Sequence, residues 1–444
     1  MKWLFLTAAA AMCVVSVAML RWSPDHTNDP RTPLVYVTGE NPLRRSQTGL
    51  FERMYPTKRI VMDPANGDAQ KIVVQSLAGV GPDLFDNATA SGLEAYVNSG
   101  IAWDVTDALA KRGIDVTKQT FPGAQGSSVY KGRTYGVPMQ LNVSAIFYNK
   151  DVFDKARIPY PKGELTWDEL IDLAKRLTVR DERGRVVCYG FSILPREWLT
   201  MSAGFGGRLF KDGGRRSAVD EPGVRKAVRL IHDLIHVHRV CPSPSEASSM
   251  ANMGGFSGAG RLLATGKFAM EYAGRYNLLN WREMPGLRLG VTPLPSGPLH
   301  RYTTMISLSV LVNKLSPRRE EALDYLTYLA SPEYGKLVQE ASDGVAPFFD
   351  KASFAGVAVK YEDEVSLPLW KTISQRTQVP DLSPFIALDA MTRIWDRHFD
   401  QVVLGTKEPE RATADAAREI DAQIRLNVER EPYLKKLWNE GAQR

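Results

Sequence analysis

Residues 135–178 read YGVPMQLNVSAIFYNKDVFDKARIPYPKGELTWDELIDLAKRLT. The apolar run at 143–148 has the length of a strand and the aromatic and branched side chains that strands favour. Thr166-Trp167-Asp168-Glu169 has the spacing of a capping box. In that arrangement the Thr hydroxyl accepts from the amide three residues on, and the Glu carboxylate returns to the Thr amide. Leu165 and Leu170 stand where a hydrophobic staple closes such a turn. The stretch predicts an extended segment carrying the polar pair Gln140 and Asn142, then a strand, a break and a capped amphipathic helix.

The chain has 444 residues, enough for one large or two medium domains. Its 56 Lys+Arg against 50 Asp+Glu leave a net charge of +6, mild for this length and scattered, which does not indicate a nucleic-acid partner. Lys2 precedes an apolar run at 3–20 that ends at Arg21. Residues 1–22 read either as a signal peptide, with Ser16-Val17-Ala18 offering a cleavage site, or as a retained membrane anchor. Either reading places the body of the protein outside the cytoplasm. Cys13 follows Met12 rather than the small residue of a lipoprotein box. Residues 23–33, with Pro24, Pro30 and Pro33, read as a linker. An exported compartment permits a disulfide between Cys188 and Cys241; two buried thiols fit the sequence equally well.

Beyond the linker, strand and helix patterns alternate: strands at 34–38 and 59–63, helices at 43–55 and 69–78, and a short buried strand ending in Asp86-Asn87. This is the pattern of an α/β fold with a mostly parallel sheet. Ligands of such sheets bind beyond the carboxyl ends of strands, which points to Glu40, Asn41, Asp86 and Asn87. Helices dominate later, at 221–238, 318–330, 387–403 and 413–429, with a strand at 307–312.

Some motifs suggest chemistry. His232 and His236 lie i,i+4 on one helix, as in zinc hydrolases, but the acid between them is Asp233 where that motif uses Glu. The apolar stripe of the same helix faces the core and leaves the two histidines on its polar side. Gly260 to Lys267 resembles a P-loop with one residue too many between its glycines, and Phe268 stands where Ser or Thr should follow. Gly255-Phe256-Ser257-Gly258-Ala259 lacks the last glycine of a nucleophile elbow. Trp198, Tyr276 and Trp370 sit in loop-like contexts, where aromatics either stack on sugar rings or pack the core.

The order of landmarks resembles the extracellular solute-binding proteins of ABC sugar importers, the maltodextrin-binding type. Gly81-Pro82-Asp83-Leu84-Phe85, Tyr130 to Pro138, Phe147-Tyr148-Asn149-Lys150-Asp151, Thr166-Trp167-Asp168-Glu169, Gly266-Lys267-Phe268-Ala269-Met270, Gly274-Arg275-Tyr276, Thr292-Pro293-Leu294-Pro295 and residues 344–347 fall in family order. The resemblance implies a two-lobed periplasmic-binding-protein fold, each lobe a mostly parallel sheet flanked by helices. It divides the chain into 34–141 with 307–365 as the first lobe and 142–306 with 366–444 as the second. It implies a carbohydrate ligand in the cleft, ABC permease subunits as partners, a monomer, and neither cofactor nor catalysis. Asn142, with Gln140, would stand at the cleft floor, Tyr276 at a stacking position and Trp198 near a second. Arg275 departs from a plain aromatic platform; it would pair with an acidic or sulfated sugar, or hold a loop.

Overall fold

The computed structural model describes residues 29, 31–251, 258–303, 307–341, 344–348 and 367–441. The leader at 1–22, most of the linker, and residues 255–257 of the Gly-Phe-Ser-Gly motif lie outside them.

The strands of the two main sheets are β1 (Pro33–Val37), β2 (Arg59–Met62), β3 (Leu84–Asn87), β4 (Gly136–Leu141), β5 (Ser144–Asn149), β6 (Met270–Gly274), β7 (Leu289–Thr292) and β8 (Ser307–Val312). One sheet has the order β2-β1-β3-β8-β4. The pairs of β1 with β2 and β3 are parallel, and β8 is antiparallel to β3 and β4. The other sheet has the order β6-β5-β7, and both its pairs are antiparallel. The expected mostly parallel sheets are therefore corrected: the first is half parallel, and among the described residues the second gains parallel bridges only at Tyr189–Phe268 and Ser192–Glu271. The reason is direction. A strand that starts where its neighbours end runs opposite to them. β5 and β8 are those strands: Ser144 pairs with Gly274 at the end of β6, and Ser307 with Leu141 at the end of β4.

All six residues of β4 are buried, as are five of the six of β5. Pro138 lacks the N–H a ladder needs, and the register of β4 against β8 slips at that point. Only Asn142 and Val143 separate β4 from β5. Leu141 exchanges main-chain hydrogen bonds with Val345 at 2.9 and 3.0 Å, which fixes the crossing.

The capping box at Thr166 forms, opening a helix at Trp167–Leu177 that buries Leu170, Ile171, Ala174 and Leu177. Beyond the second sheet lie α1 (Trp198–Gly204), α2 (Pro222–His236) and α3 (Leu388–Val403), each contributing to the hydrophobic core around Phe147 and Tyr148. Leu34, Tyr36, Leu84, Val310, Tyr325 and Tyr334 belong to a separate core beneath the first sheet. Cys188 and Cys241 are buried free thiols, with no disulfide between them. Burial pushes the Cys188 thiol up to about 11 and that of Cys241 higher still.

Candidate ligand cleft

A cavity of about 450 Å³ opens where β4 gives way to β5. Asn142, Val143 and Ser144 of the crossing form part of its lining, and Thr89 reaches it from the loop after β3. The start of α1 supplies Glu197, Trp198, Leu199 and Thr200, and α3 supplies Leu388, Met391, Trp395 and Asp396. Tyr272 comes from β6, with Tyr276, Tyr302 and Thr377 from later segments. The volume falls within the roughly 300–1,000 Å³ of small-molecule sites, and an aromatic wall with a few polar groups is the usual lining.

The aromatic wall is built in layers. Trp198 and Trp395 stack with centroids 4.1 Å apart and planes 32° apart, and Trp395 stacks in turn on Phe399 at 5.6 Å. Both indoles are buried, whereas Tyr276, also in the lining, is 46% exposed. Gly274 permits that placement: a Cβ there would come within 2.2 Å of the Tyr276 ring. Glu197 accepts a hydrogen bond from Thr200 Oγ1 at 2.9 Å, and burial holds its carboxyl above the usual range. Burial, with Asp400 nearby, raises Asp396 as well.

A model of the bacterial extracellular solute-binding protein family matches residues 36–336. The chain belongs to this family. A binding protein of Brucella abortus (strain 2308) is 25% identical over 441 residues, covering 94% of this chain and 98% of its own length. The galactooligosaccharide-binding protein of Bacillus subtilis (strain 168) is 23% identical over 392 residues, 84% of this chain and 85% of that one. Among solved structures, an ABC substrate-binding protein from Listeria monocytogenes in complex with cycloalternan superposes with a TM-score of 0.73 at 20% identity, over 89% of this chain and 99% of that chain. The architecture is thus the two-lobed one of periplasmic binding proteins.

In this solute-binding protein, Asn142, Trp198 and Tyr276 line the cavity. The other sequence-selected residues lie elsewhere. Glu40 pairs with Arg45 at 2.8 Å, and Asn41 caps the following helix by accepting from the Arg44 amide. Asp86 accepts from Thr38 Oγ1 at 2.6 Å and from the Tyr36 hydroxyl, with Arg44 at 3.9 Å. Burial raises its pKa despite that cation. Asn87 donates to the main-chain oxygens of Thr89 at 2.9 Å and Ser127 at 2.8 Å. It therefore positions Thr89, which lines the cavity. Gln140 is buried beneath the floor, its Nε2 3.4 Å from Asn142 Oδ1.

Arg275 and Trp370 do not line the cavity either. Arg275 is 1% exposed and donates to the main-chain oxygens of Gly344 and, at 3.0 Å, Gln339. It holds a loop, the second of its two expected roles. Trp370 is wholly buried, 6.0 Å from the Phe147 ring and 5.6 Å from the Arg275 guanidinium carbon. It belongs to a helix, Leu367–Gln375, rather than to a loop.

The histidine pair is occupied by packing. His232 Nδ1 meets Asp233 Oδ1 at 2.8 Å, and His236 Nε2 meets the Val403 oxygen at the end of α3 at 2.9 Å. The pair lies half-buried against α3 rather than on a solvated face. Among the described residues no cluster of His, Cys, Asp and Glu is arranged to hold a metal ion. Ser296 Oγ lies 3.1 Å from His300 Nδ1, but Glu164 bonds the serine and Arg376, and no carboxylate among the described residues orients the imidazole as a hydrolase requires. The run at 260–267 is helical through Ala264 and forms no phosphate loop.

Sequence reading missed Trp395, Tyr272, Tyr302 and Glu197. Trp395 has the helical spacing of a core residue with Leu388 and Met391, and only the packing of α3 brings it to the cleft. Glu197 was legible only as the neighbour of Trp198.

Proposed function

We propose that this protein is the extracytoplasmic substrate-binding component of an ABC importer. It takes a sugar or oligosaccharide in the cleft and closes on it for delivery to membrane permease subunits. The observation that carries the reading is the cavity at the crossing, whose lining includes the half-exposed Tyr276 together with Asn142 and Thr89. Aromatic faces take the apolar faces of sugar rings, and neighbouring amides and hydroxyls take their hydroxyl groups. Family membership and a relative named for galactooligosaccharide binding support the same ligand class.

The cycle is physical. Thr89 follows a strand of the first sheet, while Tyr276 follows one of the second. A ligand that touches both binds the closed arrangement better and shifts the population towards it. No bond is made or broken, and no cofactor takes part. We assign the first lobe to 34–141 with 307–365 and the second to 142–306 with 366–444, and expect a monomer in the periplasm, free or tethered by its leader.

A thermal-melt panel tests the ligand class. An oligosaccharide should raise the melting temperature in a concentration-dependent way, because it binds the folded state alone. Amino acids or polyamines giving the shift while a broad carbohydrate set gives none would replace the proposed ligand class.

A further inference from the structure

Two carboxylates, Glu197 and Asp396, line the cavity, and neither forms a salt bridge with a described residue. Glu197 is the more enclosed of the two. One of its oxygens accepts from Thr200 Oγ1 at 2.9 Å; the other has no described partner. The cavity it lines is walled largely by aromatic and aliphatic side chains, among them Tyr272, Trp198, Leu199 and Trp395, with Thr200 and Arg196 as its nearest polar neighbours. Arg196, on the exposed side of the same turn, acts on Glu197 only from a distance. An ionised carboxylate in such surroundings is costly until something neutralises it. A sugar hydroxyl would donate one hydrogen bond and leave the charge. An ammonium group would supply donor and counter-charge together, and aromatic faces beside it add cation–π attraction.

We propose that the cleft selects a saccharide bearing a cationic nitrogen, with its ammonium on the Glu197 carboxylate against Tyr272 and Trp198. The inference rests on the saccharide reading above and adds the chemical feature that distinguishes the preferred ligand. Burial holds Glu197 above the usual carboxylate range, as expected of a carboxylate still lacking its counter-ion. The other titratable or charged groups lining the cavity are Arg196, Tyr272, Tyr276, Tyr302 and Asp396.

The test is calorimetric titration of the full chain with matched pairs: cellobiose against the β-1,4-linked glucosamine disaccharide, and glucose and galactose against glucosamine and galactosamine. The amino member of at least one pair should bind about tenfold or more tightly than its neutral partner, in line with the strength of a desolvated cation–carboxylate and cation–π contact. Glu197→Gln, nearly isosteric and checked for folding by circular dichroism, should bring that ratio close to unity. Equal affinities within every pair, or a preference that survives in the variant, overturn this inference alone. If the chain binds none of these sugars and the wider carbohydrate panel gives no melting shift, the saccharide reading beneath it falls as well.

Discussion

Arg275 Nη2 donates to the main-chain oxygen of Gln339 across 3.0 Å, so a buried cation at the end of β6 caps a helix packed into the other core. Arg282 does the same for Glu340 at 3.0 Å. Carbonyls at a helix C-terminus lack partners within the helix and carry partial negative charge, so cations are favoured there. Beside these contacts runs the Leu141–Val345 pairing, and together they tie the β4–β5 connection to residues 339–345.

Replacing Arg275 should therefore unfold the protein more easily without touching the cleft wall. Arg275→Met removes charge-assisted hydrogen bonds to buried carbonyls and should cost about 2–4 kcal/mol. Urea unfolding of wild type and variant measures it. Arg275→Lys should recover only part of the loss, because an ammonium cannot reproduce the guanidinium fork.

Trp395 should matter to stability through its volume rather than its N–H. Its ring is stacked between Trp198 and Phe399, and its Nε1 has no hydrogen-bond partner among the described residues. Trp395→Ala should cost about 3–5 kcal/mol. Trp395→Phe should cost much less, since no hydrogen bond is lost with the indole. Thermal or urea unfolding of both variants checks the order.

How legible the chain was depended on the range of the interaction that decides each residue. The capping box at Thr166 is set by four consecutive residues and was read directly. Asn142 is legible only through the resemblance of the stretch around it to the family's hinge-crossing segment. The two roles held open for Arg275 are separable only by Gln339 and Gly344, more than sixty positions away along the chain. Trp370 follows Pro368 and looked like a loop residue, but proline is tolerated in the first turn of a helix. The antiparallel second sheet was hidden because strand patterns carry no direction.

Glu271 should make stability fall as pH rises. Its carboxyl lies buried in β6 with Oε2 unpartnered among the described residues, and burial pushes its pKa up to about 8 from the usual 4.5. Between those values the unfolded chain has released the proton while the folded chain keeps it. The unfolded state then binds fewer protons, so the unfolding free energy declines through that window and levels off above it. Glu271→Gln should remove this component, leaving the variant more stable than wild type at pH 8 by an amount on the order of a few kcal/mol and little different at pH 4.5. Urea unfolding at the two pH values, compared as a difference between the proteins, isolates the effect.

Tyr276 should be needed for binding and dispensable for folding. At 46% exposed it is half-buried with its ring against Gly274, so Tyr276→Ala should lower the ligand-free stability by about 1–2 kcal/mol and leave the fold intact. Calorimetric titration of an oligosaccharide that raises the melting temperature, into wild type and Tyr276→Ala, tests the cleft assignment most directly. The wild type should show saturable one-to-one binding and the variant an association at least roughly tenfold weaker, as loss of a stacked ring implies. Equal affinity for the two proteins would place the ligand elsewhere and contradict that assignment.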